Sequence, residues 1–316
     1  MRAMVGERSE EGFAALTLES GARGGLEAVF VPEAGMVCCS LRHRGEELLG
    51  LRGGLRAYVE RRSTMGIPFL HPWANRLGAD RFEVGGRQVD LTLPGLPLKR
   101  DAAGLPIHGL LGAALGWQVE RHAELGPGGV LAASFDFAAF PHLLEAFPFP
   151  HLVGIEATLF EGSLEIATSL TASGDVAVPV SFGFHPYLRL PGVPRAEWVL
   201  EAPVRERLVL DGSGLPTGDR EPVAIEPGPL GARTFDDAFL APPPGTALAL
   251  IGPDRRIELR LDRGYPYTQI YAPPDDDTIA LEPMTAPTDA LVSGGPELTF
   301  VPPGETFTAT FSISVL

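Results

Sequence analysis

The chain lacks surplus positive charge, paired cysteines, long apolar runs and strong helical signals, and each absence excludes something. Its 316 residues hold 25 Lys and Arg against 40 Asp and Glu, a formal net charge of −15. Non-specific binding to nucleic acid or to anionic membranes needs a positive surface, so neither is expected as a partner. A strongly anionic substrate is also disfavoured, unless a local basic pocket overrides the balance. The two cysteines, Cys38 and Cys39, are adjacent. Neighbouring cysteines rarely form a structural disulfide, which fits a reducing compartment. The first residues, "MRAMVGERSEEG", contain no apolar leader, and no run of about 18 apolar residues occurs. A cytoplasmic protein is expected. No P-loop, no GxGxxG after a strand, no GxSxG elbow and no His-Glu-x-x-His occurs, so neither a bound nucleotide nor a zinc ion is expected.

Glycine (38) and proline (31) are plentiful, and they punctuate short apolar segments, as in many strands joined by turns. Period-two alternation dominates. Phe307, Ala309, Phe311, Ile313 and Val315 alternate with Thr or Ser. Ile257, Leu259 and Leu261 alternate with Glu258, Arg260 and Asp262, and Leu164, Ile166, Thr168 and Leu170 form a similar face. Gly85-Gly86 and Gly162-Ser163 read as hairpin turns. Only Pro141 to Phe147 suggests a short helix. The expectation is an all-β protein, one antiparallel domain over residues 1–316, with a sandwich favoured over a closed barrel.

Four clusters look unlike scaffold. "GIPFLHPWANRLG" (66–78) places His71, Trp73, Asn75 and Arg76 in one loop, and arginine offers a rigid fork of donors for hydroxyls or a carboxylate. "LPIHGLLG" carries His108. "SFGFHPYLRLPG" (181–192) ends a strand on His185, where an imidazole fixed by the following proline could act as a general acid. "IALEPMT" (279–285) puts Glu282 at the end of an apolar run with no cation near it in sequence, although burying an unpaired carboxylate is costly. Asp236 and Asp237 in "RTFDDAFLAP" are a further acidic pair. Taken singly, each has a plain alternative: a surface arginine, a packed histidine, a solvated turn aspartate.

In order and at about the family's spacing, these clusters resemble the aldose 1-epimerase (galactose mutarotase-like) family. "GIPFLHPWANR … EPMTAPTDAL" is most similar to its bacterial aldose 1-epimerase-related branch. The resemblance implies a galactose mutarotase-like β-supersandwich with few short helices, interconverting the anomers of a free aldose without a cofactor. Carried over, Glu282 is the general base on the anomeric hydroxyl and His185 the general acid on the ring oxygen. Arg76, His108 and Asn75 bind sugar oxygens, Asp236 (or Asp237) holds hydroxyls, and Trp73 or Phe184 offers a stacking face. Leu188 after His-Pro-Tyr, where many members have Phe, and "PMTAPTDAL" in place of a "QT" form leave the sugar's identity open. The monomer or homodimer state is open too. A hexose-phosphate epimerase needs added cations, for which Arg61, Arg62 and Arg81 are the candidates. A non-catalytic sugar-binding protein would lack the base or the acid.

Overall fold

The alternating segments pair as strands along the chain. The computed structural model describes residues 4–21 and 25–316. A nine-stranded antiparallel sheet runs in the spatial order Gln118–Leu125, Gly128–Asp136, His151–Phe160, Ser163–Ala172, Thr306–Val315, Arg256–Arg263, Leu248–Ile251, Val199–Ala202, Ile225–Pro229. An eight-stranded sheet runs Pro216–Pro222, Glu206–Leu210, Phe235–Leu240, Tyr267–Ala272, Ile279–Met284, Gly183–Phe184, Phe69–Leu70, with Tyr187–Leu188 also paired to Ile279–Met284. A five-stranded meander covers Val5 to Glu47.

The three alternating segments singled out in the sequence are neighbours: Ser163–Ala172, Thr306–Val315 and Arg256–Arg263 pair side by side. Their apolar faces meet those of the eight-stranded sheet, and Phe184 packs against Phe311 with ring centroids 5.0 Å apart. Side chains such as Leu164, Ile166, Ile257, Leu259, Ile270, Ile279 and Leu281 fill the space between, all at most 1% exposed. Each contributes roughly 1.5–3 kcal/mol of burial. A sandwich, as expected, is the result.

Two local readings need correcting. Gly85-Gly86 joins its hairpin as expected, with φ of 55° and 73°. The second turn is Glu161-Gly162, one residue earlier than expected, because Ser163 is already paired to Phe160. Both turn residues have positive φ, 45° and 83°, as a two-residue hairpin requires. Pro141–Ala146 is helical as expected, but so is Gly54–Arg61. The first turn of the latter is closed by Glu11, whose carboxylate accepts from Leu55 N and Arg56 N at 3.0 and 2.9 Å. A cap supplied from so far away leaves no local sequence signal. Among the described residues no helix is long and apolar enough to cross a membrane.

Candidate active site

Strand Ile279–Met284 is buried at every residue and sits in the middle of the eight-stranded sheet. Ile279 and Leu281 point into the sandwich core, whereas Met284 joins a small cluster with Leu70, Ala74, Leu208, Ala238 and Tyr267. Alternation therefore places Glu282, with Ala280 and Met284, on the face away from the core. The neighbouring chain pairs Gly183 with Met284 and Tyr187 with Ala280. The same register puts His185 opposite Glu282. Its Nε2 lies 3.1 Å from Glu282 Oε1. On the other side Tyr271 pairs with Ala280 and with Asp236, so Asp236 joins the same face two strands over. Asp237 falls on the opposite face and binds Arg207 at 3.1 Å. Asp236, not Asp237, reaches the site.

The remaining residues arrive on two loops laced to each other. The His71 carbonyl accepts from Leu110 N and Leu111 N at 2.7 and 3.0 Å, the Asn75 carbonyl accepts from His108 N at 2.9 Å, and Leu77 N donates to the Pro106 carbonyl at 2.9 Å. Gly109 makes this possible: its φ is +75°, and a Cβ there would lie 2.1 Å from the His71 oxygen. Asn75 and His108 also adopt left-handed backbone, at φ 58° and 65°. That turns both side chains toward the sheet, at the price of a conformation non-glycine residues seldom take.

Together these elements enclose a cavity of about 200 Å³, lined by Glu282, His185, His108, Asn75, Arg76 and Asp236, with Arg52, Thr64, Lys99, Asp101, Ile107, Tyr187 and Tyr271. A larger cavity, about 1120 Å³, opens elsewhere around Met4, Ser20, Arg42 and Glu124. No histidine lines it, so size does not point to the chemistry here. Arg76 is held as a fork. Its Nε donates to Asp101 at 2.8 Å, one terminal nitrogen to Asn75 Oδ1 at 3.1 Å and the other to Asp236 at 3.4 Å. Gln269, opposite Glu282 in the ladder, donates to the other Asp236 oxygen at 2.7 Å. Tyr187 stacks against the His185 ring with centroids 4.1 Å apart. Its hydroxyl is pinned by Arg52 at 3.0 Å and Thr64 at 2.7 Å. The His108 ring stands edge-on to His185 at 5.4 Å.

The electrostatics favour neutral forms. Burial pushes the Glu282 carboxyl well above the ordinary range, Asp236 adds to the shift, and Arg76 opposes it. Burial, then the charges of Lys99 and Arg52, lowers His185 to about 3. His108 is likewise held well below the ordinary range by burial, then by the charges of His185, Lys99 and Arg76. At the 3.1 Å contact burial therefore favours the neutral pair, a carboxylic acid facing an imidazole. Its total charge equals that of a carboxylate–imidazolium pair, so moving one proton across the contact interconverts the two forms. Among the described residues, Glu282 Oε2, His185 Nδ1 and His108 Nδ1 are buried without hydrogen-bond partners. One carboxyl and one imidazole, each with an unused valence beside a polar cavity, can exchange protons with a ligand having two adjacent oxygens.

The family model for aldose 1-epimerase matches residues 21–314. The chain belongs to the aldose 1-epimerase family. A galactose mutarotase-like protein from Clostridium acetobutylicum is similar in fold, with a TM-score of 0.85 at 17% identity, covering 99% of this chain and 98% of the other. Galactose 1-epimerase from Lactobacillus acidophilus NCFM matches with a TM-score of 0.76 at 15% identity, covering 100% and 99%. The uncharacterized protein YihR of Escherichia coli (strain K12) is 23% identical over 238 residues, 71% of each chain. These likenesses support the galactose mutarotase-like fold.

Of the residues the sequence nominated, Glu282, His185, Arg76, His108, Asn75 and Asp236 line the one cavity. Trp73 does not: it is 0% exposed inside the main core, and Phe184 is buried on the core face, so neither offers a stacking surface. His71 also lies away from the site, bonded Nε2 to Nε2 with His151 at 2.7 Å. Arg61, Arg62 and Arg81 do not line the cavity; Arg62 donates to the Gly112 carbonyl and Arg81 to Asp90. The cations that line it are Arg52, Arg76 and Lys99. Arg52, Lys99, Asp101 and Tyr271 were missed by the sequence reading because each sits in a segment without a distinguishing pattern.

Proposed function

We propose that the protein interconverts the α and β anomers of an aldose by general acid–base opening and closing of the pyranose ring. The observation that carries this reading is the 3.1 Å approach of His185 Nε2 to Glu282 Oε1 on one wall of a polar cavity. The two oxygens on the anomeric carbon, the hydroxyl O1 and the ring oxygen O5, are as close to each other as this acid–base pair can serve at once.

In the reactive form Glu282 is a carboxylate and His185 an imidazolium, reached from the neutral pair by one proton shift. Glu282 takes the proton from O1. The C1–O5 bond breaks as C1=O1 forms, and O5 receives the proton from His185 Nε2. The chain is then an open aldehyde, with Glu282 protonated and His185 neutral, the forms that burial favours. Rotation about C1–C2 presents the other carbonyl face. O5 attacks it, returns its proton to His185, and Glu282 gives one back to the new O1. No group is consumed. Arg76 and His108 stand where they can donate to or orient sugar oxygens, and Asp236 can accept from hydroxyls. Arg76 also limits how far the Glu282 pKa rises, so the base stays available.

Polarimetry on freshly dissolved α-sugar tests this. The wild-type protein should accelerate the rotation change, and a folded Glu282→Gln variant should lose nearly all of that acceleration. A folded Glu282→Gln variant as fast as wild type would sink the mechanism. The alternative is a sugar-binding protein without catalysis, and the presence of both acid and base speaks against it.

A further inference from the structure

Granting the epimerase reading on which this rests, we infer that Tyr187 is a positioning residue for the acid of the pair. The face of its ring fixes the plane of the His185 imidazole and favours the imidazolium that ring opening uses. A working imidazole is usually aimed by a hydrogen bond at the nitrogen away from the chemistry. His185 Nδ1 is buried and has no such partner among the described residues. His185 Nε2 meets Glu282 at 3.1 Å, and that contact selects which edge of the ring faces the carboxyl without setting its plane. Stacking sets the plane. The Tyr187 ring lies 4.1 Å from the imidazole, centroid to centroid, at 22° to it. His108 and Tyr271 stand steeply across the imidazole, at 5.4 and 5.8 Å with interplanar angles of 89° and 69°. Of these three rings only Tyr187 lies nearly parallel.

Tyr187 is itself held from several sides. It is 2% exposed. Its N–H donates to the Gly66 carbonyl at 2.9 Å, and its carbonyl accepts from Gly50 N at 2.8 Å. Arginine can only donate, so the phenol oxygen accepts from Arg52 at 3.0 Å and its own proton goes to Thr64 Oγ1 at 2.7 Å. The Arg52 guanidinium carbon also lies 5.0 Å from the ring centroid. None of these bonds touches the imidazole. They keep a ring in place, and the ring is what His185 meets. The two residues are two apart with Pro186 between them, so their side chains leave the extended chain on one side. An aromatic face attracts a cation through its quadrupole, and more strongly where water is excluded. It therefore holds an imidazolium better than a neutral imidazole, whereas burial acts the other way. The imidazolium is the form that gives its proton to O5, so the stack raises the share of the pair that is ready to react. A carboxylate at Nδ1 would do the same only by burying another charge.

The test compares wild type with Tyr187→Phe, with Tyr187→Leu, and with trifluoro- and pentafluorophenylalanine installed at position 187. The fluorinated rings keep the shape of phenylalanine while draining electron density from its face. Polarimetry on fresh α-glucose and α-galactose gives kcat and KM, and the imidazole nitrogen chemical shifts of His185 report its protonation without turnover. Tyr187→Phe should keep kcat within about threefold, and Tyr187→Leu should lose at least about tenfold in kcat with KM within about twofold. Along the fluorinated series kcat should fall stepwise, and the Nε2 shift should move toward that of an unprotonated nitrogen. A side chain that only fills space gives no such trend. An active wild type with a flat fluorinated series overturns the role of the Tyr187 face and leaves the epimerase reading standing. So does a Tyr187→Phe variant as slow as Tyr187→Leu, which would move the role to the hydroxyl. A wild type that turns over neither sugar, with His185 shifts that still follow the series, removes the epimerase reading for these sugars and keeps the stack. Flat shifts in that inactive protein overturn both. The fluorinated series carries the test if Tyr187→Leu fails to fold.

Discussion

Among the described residues, His71–His151 and His185–Glu282 are each a pair of buried titratable side chains within hydrogen-bonding distance. In the first, His151 Nδ1 donates to the Phe149 carbonyl at 2.5 Å, so its Nε2 is the acceptor and His71 Nε2 the donor at 2.7 Å. Aromatic rings close round it: Phe137 stacks on His151 at 4.5 Å and Phe69 on His71 at 5.3 Å. Burial lowers both histidines, His151 to about 4. In the second pair burial acts in the same direction on the imidazole and oppositely on the carboxyl. Both pairs leave nitrogen atoms without partners among the described residues. A perturbed pKa and an unpartnered atom therefore do not distinguish a scaffold pair from a site. What distinguishes them is what borders the pair: phenylalanine on every side of one, and a polar cavity with a fixed arginine fork beside the other.

The largest contrast should come from replacing one member of each pair. Glu282→Gln is expected to lower kcat by roughly 10²–10⁴-fold, the range lost with a general base. His151→Phe should keep kcat within about twofold while costing on the order of 1–3 kcal/mol of stability through overpacking and loss of its bonds. Polarimetry beside urea unfolding reads both. A loss of kcat in a stably folded His151→Phe protein would erase the distinction between the pairs.

Gly109→Ala should damage both regions at once, because Gly109 packs on the His71 carbonyl and follows His108. The added methyl meets backbone at 2.1 Å, and the φ of +75° is itself unfavourable for alanine. A loss of more than about 3 kcal/mol is expected, with activity falling even in the fraction that remains folded. Thermal unfolding together with activity per folded molecule checks it; an alanine variant of wild-type stability would mean the two loops are not locked together.

The scaffold pair should also set an acid limit on stability. His151 titrates near 6.5 when unfolded and near 4 when folded, so the unfolded chain binds more protons between those values. Stability is fully present above about pH 6.5 and is lost as the pH falls toward 4, by on the order of 2–3 kcal/mol. His151→Phe should flatten that slope. Urea midpoints at pH 5 and pH 7.5 measure it, and equal slopes in the two proteins would remove His151 as the cause.

The same contrast explains what could be read in the sequence. Glu282 was legible because a lone carboxylate inside an apolar strand violates the expected pattern, and such violations concentrate at functional sites. His185 was legible from the Pro that follows it and from alternation with Phe184, which the core takes. Trp73 was misread for a physical reason: an aromatic beside Asn75 and Arg76 looks like a sugar platform, yet its ring lies wholly in the core. Nothing local in the sequence separates those outcomes. Lys99, Arg52 and Asp101 were not legible at all, since only tertiary packing brings them to the cavity. The antiparallel sandwich was readable from period two. Helix Gly54–Arg61 was not, because Glu11 caps it from another part of the chain.

The smallest predicted effect probes the electrostatics of the site pair alone. Asp236 is the second cause, after burial, of the raised Glu282 pKa, and Arg76 works against it. Asp236→Asn removes the like charge and leaves Arg76 less compensated, so Glu282 should ionise at lower pH. If the base must be a carboxylate, the acid limb of kcat/KM should move to lower pH. The shift should stay under about one unit, because the Asp236 side chain is 48% exposed and water screens it. KM should rise as well, since an acceptor for sugar hydroxyls is lost. The apparent values belong to the coupled pair, so the direction of the shift is the quantity to compare. The His71–His151 pair is enclosed by aromatic rings, so the pH dependence of its stability should be untouched by the same substitution. An acid limb that moves upward, or does not move, would place the controlling ionisation on a group other than Glu282.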